Sequence, residues 1–234
     1  MCGRYSFTSP LEAVRRLFQV SGGGNLAPRY NIAPTQPAVV ARPSLKPGEA
    51  RELAILTWGL VPSWAKDAAI ASKLINARAE TVAEKPSFRN AFRRRRCLVP
   101  ADGFYEWKAA PGGKQPYRVS FEDERPFAFA GIWEHWQGAD GSEIESFAIV
   151  TTDANALLRP LHPRMPVILE PEQHAPWLDT GNEDAGALLG PYAGEGLCYY
   201  PVSRHVNNVR NDDAECIRPL EAPGKPVPAQ GRLL

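Results

Sequence analysis

Apolar positions alternate along RELAILTWGLVPSW, which is the pattern expected of a half-buried β-strand. Further strand candidates are the short apolar stretches RCLVPA, FYEWKAA, QPYRVSFED, PFAFAGIWEHW, ESFAIVTTDA and LCYYPVS. Asp102 and Gly103 predict a turn between the second and third of these strands, and residues 43–50 predict a hairpin-like turn before the first. The pattern therefore predicts a protein built mainly from short strands.

Helical periodicity is confined to a few segments. In TSPLEAVRRLFQV the apolar residues fall on one face of a helix, which the SGGG sequence at 21–24 would end. The residues predicted to begin this helix are Thr8 or Ser9 as the cap, Pro10 in the first turn and Glu12 closing a capping box. LINARAETVAEKPSFRNAFRRRR predicts a short helix, a break at Pro86 and a helix that ends in arginines, and HAPWLDT predicts another short helix.

Many short strands with a few helices predict an α+β fold, with a single β-rich domain and a curved, barrel-like antiparallel sheet. No shift in composition marks an internal linker, and no repeat is visible. The predicted domain covers residues 1–220. Residues 221–234 are rich in Pro and Gly and predict a poorly ordered tail.

The composition narrows the class of protein. Of the 234 residues, 44% are hydrophobic and 23% are charged, as in ordinary globular proteins, and the net charge is +1. Binding of a polyanion would therefore require a local basic patch. Because the chain has no run of about 18 apolar residues and no signal-peptide pattern, we expect a monomer in the cytoplasm, associated with the nucleoid in a bacterium, or a nuclear protein in a eukaryote.

The four cysteines, Cys2, Cys97, Cys198 and Cys216, include no C-x-x-C pair, which argues against a disulfide framework or a structural zinc site. Cys97 and Cys216 stand beside apolar residues and are predicted to be buried. Cys2 has two interpretations. It is either a buried residue of a short first strand or, once Met1 is removed, a residue that carries an amine and a thiol on neighbouring carbons.

Three polar residues are candidates for chemistry. Asn76 stands in LINARAE, where an apolar strand turns into the predicted helix. Glu106 lies between two aromatic residues in DGFYEWK, so it faces inward if they are exposed, and a buried carboxylate needs a partner or a raised pKa. His162 is held between two prolines in LRPLHPRMP. A structural salt bridge for Glu106 and a turn-capping role for His162 remain the alternatives.

Arginine and tryptophan provide a possible surface for nucleic acid. Arg4, Arg78 and Arg164 each lie two residues from a candidate, and guanidinium groups fit phosphate. Trp64 and Trp107 are candidates for stacking with unpaired bases, as are Trp58 and Trp133, although Trp is more often a core residue. The run at residues 93–96 is interpreted as a solvated face of arginines.

Eight segments follow one another in the order MCGRYSF, YNIAPTQ, WGLVPSWAKD, INARAET, CLVPADGFYEWK, IVTTDAN, LHPRMPVIL and PVSRHVNNVRNDDAECI. In this order they resemble the SRAP family, the SOS response-associated peptidases. The resemblance extends from Cys2 to about Pro219. It implies a DNA-repair protein that senses abasic sites in single-stranded DNA during the response to DNA damage.

The resemblance also implies a covalent mechanism. Met1 is removed, the amine of Cys2 forms a Schiff base with the aldehyde of the abasic sugar, and the thiol closes a thiazolidine ring. Asn76 is then expected to orient the adduct. Glu106 moves protons and assists the removal of Met1, and His162 shuttles a proton at the sugar oxygen.

For DNA binding, the resemblance implies that Arg78 and Arg164 clamp the phosphates beside the abasic site, with Arg4 as a weaker contact. Trp64 and Trp107 remain the stacking candidates. A Schiff base also permits β-elimination, so slow strand cleavage of the lyase type is expected as a side activity. No metal and no cofactor are expected.

Two other functions remain open from the residues alone. One is a thiol hydrolase that acts on peptides with Cys2, His162 and either Asn76 or Glu106. The other is a non-covalent reader of single-stranded or modified DNA, in which Cys2 plays no part. Convergence of the candidates in a basic, narrow groove would favour covalent crosslinking, an open peptide cleft would favour the hydrolase, and dispersed candidates would favour the reader.

Overall fold

The computed structural model describes residues 2–20 and 26–220, so the predicted SGGG break and the predicted tail lie outside the described residues. The strands are β1 (Tyr5–Phe7), β2 (Arg29–Ile32), β3 (Pro37–Pro43), β4 (Arg51–Trp58), β5 (Asn76–Arg78), β6 (Arg96–Ala101), β7 (Gly103–Ala110), β8 (Gly113–Phe121), β9 (Phe127–Gln137), β10 (Glu143–Asp153), β11 (Arg164–Pro166), β12 (Ile168–Leu169) and β13 (Leu197–Pro201). The α-helices are α1 (Leu11–Phe18), α2 (Arg89–Arg94) and α3 (Pro171–Leu178), and 3₁₀ segments cover Ala68–Lys73, Glu183–Leu188, Arg204–Asn207 and Ala214–Ile217. The strands predicted from these stretches of sequence are confirmed, as are the turn at 43–50 and the short helix in HAPWLDT.

Five strands close into a barrel in the order β4, β3, β6, β9, β10 and back to β4. Neighbouring strands are antiparallel except β10 and β4, where Ser146 aligns with Thr57 in a parallel pair. A closed ring with an odd number of strands cannot alternate direction all the way round, so one parallel pair is unavoidable. The predicted barrel-like sheet is confirmed, with this single exception to antiparallel pairing within the ring.

A second sheet, in the order β13, β8, β7, β1 and β2, lies against the barrel. Its inner face presents Tyr5 and Phe104. Tyr5 meets Trp58 edge-on at 5.3 Å between ring centroids, and Phe104 meets Phe129 at 5.8 Å. These aromatic contacts add to apolar burial and fix β1, the strand that follows Cys2, on the barrel.

The start of α1 differs from the prediction. The helix follows Pro10 and has no side-chain cap. The hydroxyl groups of Thr8 and Ser9 instead donate to Asp102 Oδ2, at 2.9 and 3.3 Å. Asp102 is buried at the turn between β6 and β7, where it also accepts from Ser6, so the hydroxyls that could cap the helix satisfy a buried carboxylate.

In LINARAE the predicted strand end is confirmed as β5, but the helix predicted there is wrong. Asn76–Arg78 pairs in parallel with residues 149–151 of β10, so tertiary strand pairing overrides the local helical preference. Turns follow as far as residue 88, and α2 then ends in arginines as predicted.

The arginine run at 93–96 is only partly solvated. Arg93 and Arg94 are exposed, whereas Arg95 forms an ion pair with Glu134 at 2.9 Å. Arg96 is 3% exposed, and its guanidinium donates to backbone carbonyls of residues 92, 177, 179 and 182. The prediction of a solvated face is therefore wrong for Arg96, whose buried charge is compensated by carbonyl oxygens.

The interior confirms the interpretation of Cys97 and Cys216, both of which are fully buried. Cys216 belongs to a small cluster with Tyr105, Val202 and Val206, separate from the main core. This cluster packs residues 204–217 onto the second sheet, beside β7. Among residues 2–20 and 26–220, no helix is long and apolar enough to cross a membrane.

Candidate active site at the N-terminal strand

Cys2 lies against the first residue of β5. The Asn76 side-chain amide donates to the backbone carbonyl of Cys2 at 2.8 Å, and the pairing of β5 with β10 fixes Asn76 opposite Ile149. Cys2 is completely buried. Burial raises the pKa of its thiol, and the nearby Glu106 carboxylate raises it further, so the sulfur is a neutral thiol at neutral pH.

Glu106 reaches the same place from β7. Tyr5 pairs with Phe104, and the amide of Tyr105 donates to the carbonyl of Arg4 at 3.0 Å. Continuing this antiparallel register by one residue on each strand places Gly3 opposite Glu106. The two segments of chain that carry Cys2 and Glu106 therefore run side by side.

Burial and nearby charges together set the pKa of Glu106. Glu106 is 5% exposed, and burial raises the pKa of its carboxyl group to about 7. The inward position of Glu106 was predicted on the condition that its aromatic neighbours are exposed, and this condition is not met, because Tyr105 is fully buried and Trp107 is half-buried. Glu106 is buried nonetheless, since both faces of β7 are covered.

His162 lies just before β11. Its Nδ1 is 3.0 Å from the backbone nitrogen of Arg164 and 3.1 Å from the carbonyl oxygen of the same residue. The backbone amide of His162 donates to the Leu158 carbonyl at 3.1 Å, which fixes the start of this loop. Burial lowers the pKa of His162, so the imidazole is largely neutral at pH 7.

Lys114 links His162 to the other candidates and was missed by the sequence argument. Burial is the main cause of both pKa shifts: it raises the pKa of Glu106 and lowers that of His162. The Lys114 ammonium lowers the pKa of both groups. Lys114 follows the turn of the β7–β8 hairpin, whose register pairs it with Ala109. Its position in GGKQP, directly after the hairpin glycines, was the available signal, because the partner strand carries Glu106.

The three candidate phosphate contacts differ in how their guanidinium groups are used. Arg78 is exposed at the end of β5. The other two donate to acceptors within the protein. For Arg164 the acceptors are Glu80, Asp153 and the carbonyl of Thr151, and for Arg4 they are Asn31 and the carbonyls of Val206 and Asn207.

The four candidate tryptophans also differ, in how far their side chains are exposed to solvent. Trp58 is fully buried and Trp133 is 7% exposed, so neither is a stacking surface. Trp64 is 55% exposed and lies beside a cavity of about 400 Å³ that Lys66 also lines. Trp107 is half-buried, donates to Asn207 Oδ1 at 2.8 Å and lies 5.8 Å from the Arg4 guanidinium.

One group of side chains has a composition suited to a metal ion. The ligand atoms of His205, Asp213 and Cys216 lie within 4.8 Å of one another. The Asn211 amide donates to His205 Nδ1 at 3.0 Å and to the His205 carbonyl at 2.7 Å, which fixes the ring proton on Nε2. That proton faces Asp213 Oδ2 at 3.0 Å, so a metal on Nε2 would have to displace an existing hydrogen bond.

The candidate site therefore contains an amide that holds the Cys2 backbone, a carboxyl group that titrates near neutral pH and a neutral imidazole. Such a set can move protons in both directions at pH 7, because a group with a pKa near the working pH serves as acid and as base. Of these groups, Asn76 and Glu106 lie nearest to the buried thiol, which is the candidate nucleophile.

Comparison with known proteins matches the chain to the family described as SOS response associated peptidase (SRAP) over residues 1–209. The chain is 40% identical over 224 residues to the abasic site processing protein YoqW of Bacillus subtilis, which covers 93% of this chain and 99% of that protein. It is 34% identical to the abasic site processing protein HMCES of Gallus gallus, over 85% of this chain and 68% of that protein.

Solved structures agree with the fold. A crystal structure of a protein from Bacteroides thetaiotaomicron has a TM-score of 0.81 and 29% identity, and the match covers 93% of this chain and 99% of that one. A protein from Bordetella bronchiseptica has a TM-score of 0.76 and 30% identity over 86% of this chain and 100% of that one. The family match over most of the chain, together with these relatives, shows that the chain belongs to the SOS response associated peptidase (SRAP) family.

Proposed function

We propose that this protein processes abasic sites in single-stranded DNA by forming a covalent thiazolidine with Cys2 after removal of Met1. The observation that carries the proposal is the contact of Asn76 with the Cys2 backbone at 2.8 Å, beside a buried Glu106 whose pKa is raised to about 7. The family match begins at residue 1, and the relatives in Bacillus subtilis and Gallus gallus are named abasic site processing proteins.

Position 2 matters because of ring size. Once Met1 is removed, Cys2 carries an amine and a thiol on adjacent carbons, and only this arrangement closes a five-membered ring on an aldehyde carbon. An α-amine has a pKa of about 8, so a useful fraction is neutral at pH 7, whereas a lysine amine with a pKa of about 10.4 is almost fully protonated.

The chemistry balances with the loss of one water. The neutral amine adds to the aldehyde carbon of the opened abasic sugar, and the resulting carbinolamine expels its hydroxyl group as water to give an iminium ion. The thiol then gives up its proton while its sulfur bonds to the iminium carbon, which completes the thiazolidine. Reversal takes the same steps backwards, and β-elimination from the iminium would cleave the DNA strand slowly.

The three side chains around Cys2 have distinct roles in this proposal. Glu106 in its acid form donates a proton to the departing hydroxyl group, and in its carboxylate form it accepts the proton of the thiol. Asn76 keeps the Cys2 backbone in place, so that amine and sulfur meet the same carbon. His162, neutral at pH 7, exchanges a proton with the sugar oxygen as the ring opens. Glu106 also assists hydrolysis of the Met1–Cys2 bond.

The DNA strand is proposed to run past Arg78, the most exposed of the three arginine candidates, with Trp64 as a stacking surface for an unpaired base. Contact of Arg164 or Arg4 with phosphate stays a prediction, and it would require these guanidinium groups to exchange acceptors that they already hold. Trp107 is proposed to support Arg4 and the backbone near Cys2.

The titration of Cys2 favours this chemistry over a thiol peptidase. Peptidases of that kind use a thiolate, and their cysteine pKa is lowered by a neighbouring cation or helix N-terminus. Here burial and the Glu106 carboxylate raise the pKa of the Cys2 thiol. A neutral thiol suffices for ring closure, because the iminium carbon is strongly electrophilic and the reaction is intramolecular.

Intact-mass spectrometry after incubation with an abasic oligonucleotide tests the proposal. We expect one product whose mass is that of the protein without Met1 plus the oligonucleotide minus one water, and we expect it to survive heating. An oligonucleotide of the same sequence without the abasic site is the control and should give no such product.

A variant with one alanine inserted between Met1 and Cys2 sharpens the test. It keeps the thiol and displaces the amine by one residue, so no five-membered ring can close and no heat-stable product should form. A heat-stable product from this variant would contradict the thiazolidine and favour simple thiol chemistry.

A further inference from the structure

Arg164 is bound to two carboxylates at the edge of the candidate site. Its Nη1 donates to Glu80 Oε1 at 2.6 Å and to Asp153 Oδ1 at 2.7 Å, and its Nη2 donates to Glu80 Oε2 at 2.9 Å and to the Thr151 carbonyl at 2.7 Å. The pair with Glu80 is bidentate, which fixes orientation as well as distance. The Arg164 side chain is only 16% exposed, although its carboxylate partners face solvent.

The same ion pair joins two elements that carry candidate residues. Glu80 lies in the turn that follows β5, the strand of Asn76, and this turn is anchored by the Ala79 amide on the Thr151 carbonyl at 2.8 Å. Arg164 begins β11 and pairs with Asp153 of β10. The Glu80–Arg164 contact therefore closes a connection from the Asn76 strand to the His162 loop.

Arg164 also contacts the imidazole ring of His162. The Arg164 backbone contacts His162 Nδ1 through both its nitrogen and its oxygen, at 3.0 and 3.1 Å. A shift of the Arg164 backbone would therefore shift the ring. We propose that Glu80 is a positioning residue, which holds Arg164 by its guanidinium fork and so fixes His162 relative to Asn76 and Cys2; this inference rests on the function proposed above.

Glu80 also lowers the positive charge available at this edge. Its pKa is lowered by the hydrogen bond from Arg164, and Arg78 contributes to the same shift, so the carboxylate is ionised and close to both arginines. A DNA strand approaching Arg78 thus meets a partly neutralised surface. Glu80 therefore lowers the affinity for intact DNA, and at the same time it keeps His162 in place.

Glu80→Gln separates these two effects because they have opposite signs. At saturating abasic DNA, the rate constant for crosslink formation should fall by about fivefold, the scale of one lost positioning contact. Affinity for intact single-stranded DNA should rise by about twofold or more, with a steeper salt dependence, since a carboxylate has been removed near Arg78 and Arg164. A purely structural defect would weaken both.

Glu84→Gln is the matched control, because Glu84 is an exposed carboxylate four residues further along and the charge change is identical. It should leave the crosslinking rate at its wild-type value. Arg164→Lys supplies the second arm, since it keeps the charge and loses the bidentate fork. It should slow crosslinking as Glu80→Gln does, and the double variant should be no slower than the slower single variant.

An NMR titration of the His162 ring gives a readout that needs no reaction. The charged groups that act on this ring are the N-terminal amine, Arg164 and Lys114, and all three disfavour its protonation. Removing the Glu80 charge leaves Asp153 as the remaining carboxylate partner of Arg164, so the positive charge near the ring is less compensated. The pKa of His162 should therefore fall further and its ring resonances should shift, whereas Glu84→Gln should change neither.

A wild-type crosslinking rate at saturating DNA with an unchanged His162 titration in Glu80→Gln would overturn the inference and leave the proposed function standing. If the wild-type protein itself formed no crosslink, the proposed function would fail. The ring titration and the DNA affinities would then still report whether Glu80 holds Arg164 and His162.

Discussion

Cys2 and Cys97 are both fully buried, and burial raises the pKa of both thiols, yet they lie in regions of different chemistry. Cys97 is the second residue of β6, inside the barrel wall, with Gly131 of β9 as its Cα partner. Cys2 precedes β1, its carbonyl accepts from Asn76, and the carboxylate near it is Glu106. Burial alone therefore does not distinguish the proposed nucleophile from a core residue.

The two regions also differ in how their polar groups are used. In the barrel wall, Glu134 is paired with Arg95, and Arg96 donates to backbone carbonyls, so the buried charges serve stability. At the N-terminal strand, burial raises the pKa of Glu106 to about 7, where the carboxyl exists in both protonation states at neutral pH. The buried charges of the barrel wall are paired with partners in the protein, whereas Glu106 at the N-terminal strand can gain or lose a proton near neutral pH.

Matched alanine variants of the two cysteines should give the largest difference. Cys2→Ala keeps the amine and removes the sulfur, so the heat-stable adduct should fall below detection while borohydride still traps a Schiff base. Cys97→Ala should form the heat-stable adduct at the wild-type rate and lose about 1–2 kcal/mol of unfolding free energy to the small cavity. A denaturing gel and urea unfolding measure the two outcomes.

The comparison would break if Cys97→Ala, still folded, lost the adduct, because a thiol in the barrel would then take part in the chemistry. It would also break if Cys2→Ala gave a heat-stable adduct.

Glu106→Gln should have the next largest effect, slowing crosslinking by about 100-fold, the lower end of what a positioned acid–base group contributes. We expect ring closure, in which the thiol loses its proton, to limit the rate. Because Glu106 is neutral below about pH 7 and then cannot accept the thiol proton, the wild-type rate should fall as pH falls through this value. The variant should lose that inflection and keep the one near pH 8 that belongs to the amine. Single-turnover rates from pH 5.5 to about pH 9 measure both.

Glu134→Gln is the corresponding change in the barrel wall, where the carboxylate is 3% exposed and pairs with Arg95. Its crosslinking rate should keep the wild-type dependence on pH. If both variants lost the inflection near pH 7, Glu106 would not be its source.

Gly131→Ala should act on stability alone. A Cβ at this position would lie 2.7 Å from Val99 Cγ2 and 2.8 Å from Cys97 Sγ, closer than side chains in a packed barrel tolerate. We expect a loss of about 1–3 kcal/mol in unfolding free energy and an unchanged crosslinking rate for the folded protein. Gly186→Ala, where nothing lies within 4 Å of the added atom, is the control and should cost much less.

The difference between the two regions also explains what could be read from the sequence. The barrel strands could be located from short runs rich in apolar, aromatic and β-branched residues, because this signal is local and needs no knowledge of the partner strand, although β9 and β10 are buried on both faces over most of their length. At Asn76 the sequence predicts a strand end that turns into a helix, and the helix does not form because residues 76–78 pair with residues 149–151 of β10, 73 positions away in the chain. For the same reason the hydroxyls of Thr8 and Ser9, which suit a helix cap locally, are used by Asp102 instead.

Among the site residues, the resemblance to a family identified Cys2, Asn76, Glu106 and His162, and the hairpin register could have added Lys114. The partners of Arg164 could not have been found from spacing. Glu80 and Asp153 lie 84 and 11 positions from it and come together only where β5, β10 and β11 meet. Ion pairs across such a junction leave no periodic signal in the sequence.

Replacing Arg78 is expected to give the smallest effect. This variant tests which edge of the molecule contacts DNA. Arg78 is exposed at the end of β5 and is close enough to Glu80 to lower the pKa of that carboxyl group. Arg93 is exposed on α2, the helix that packs against the barrel. Replacing either with alanine changes the net charge equally, so only a phosphate contact distinguishes them. Arg78→Ala should reduce the slope of log affinity against log salt concentration by about one and weaken binding a few-fold, while Arg93→Ala should leave the slope unchanged. Fluorescence anisotropy with an intact single-stranded oligonucleotide measures both slopes, and equal slopes would mean that the strand does not pass Arg78. The reverse order, with the larger loss in Arg93→Ala, would move the DNA path to the barrel side and away from Cys2.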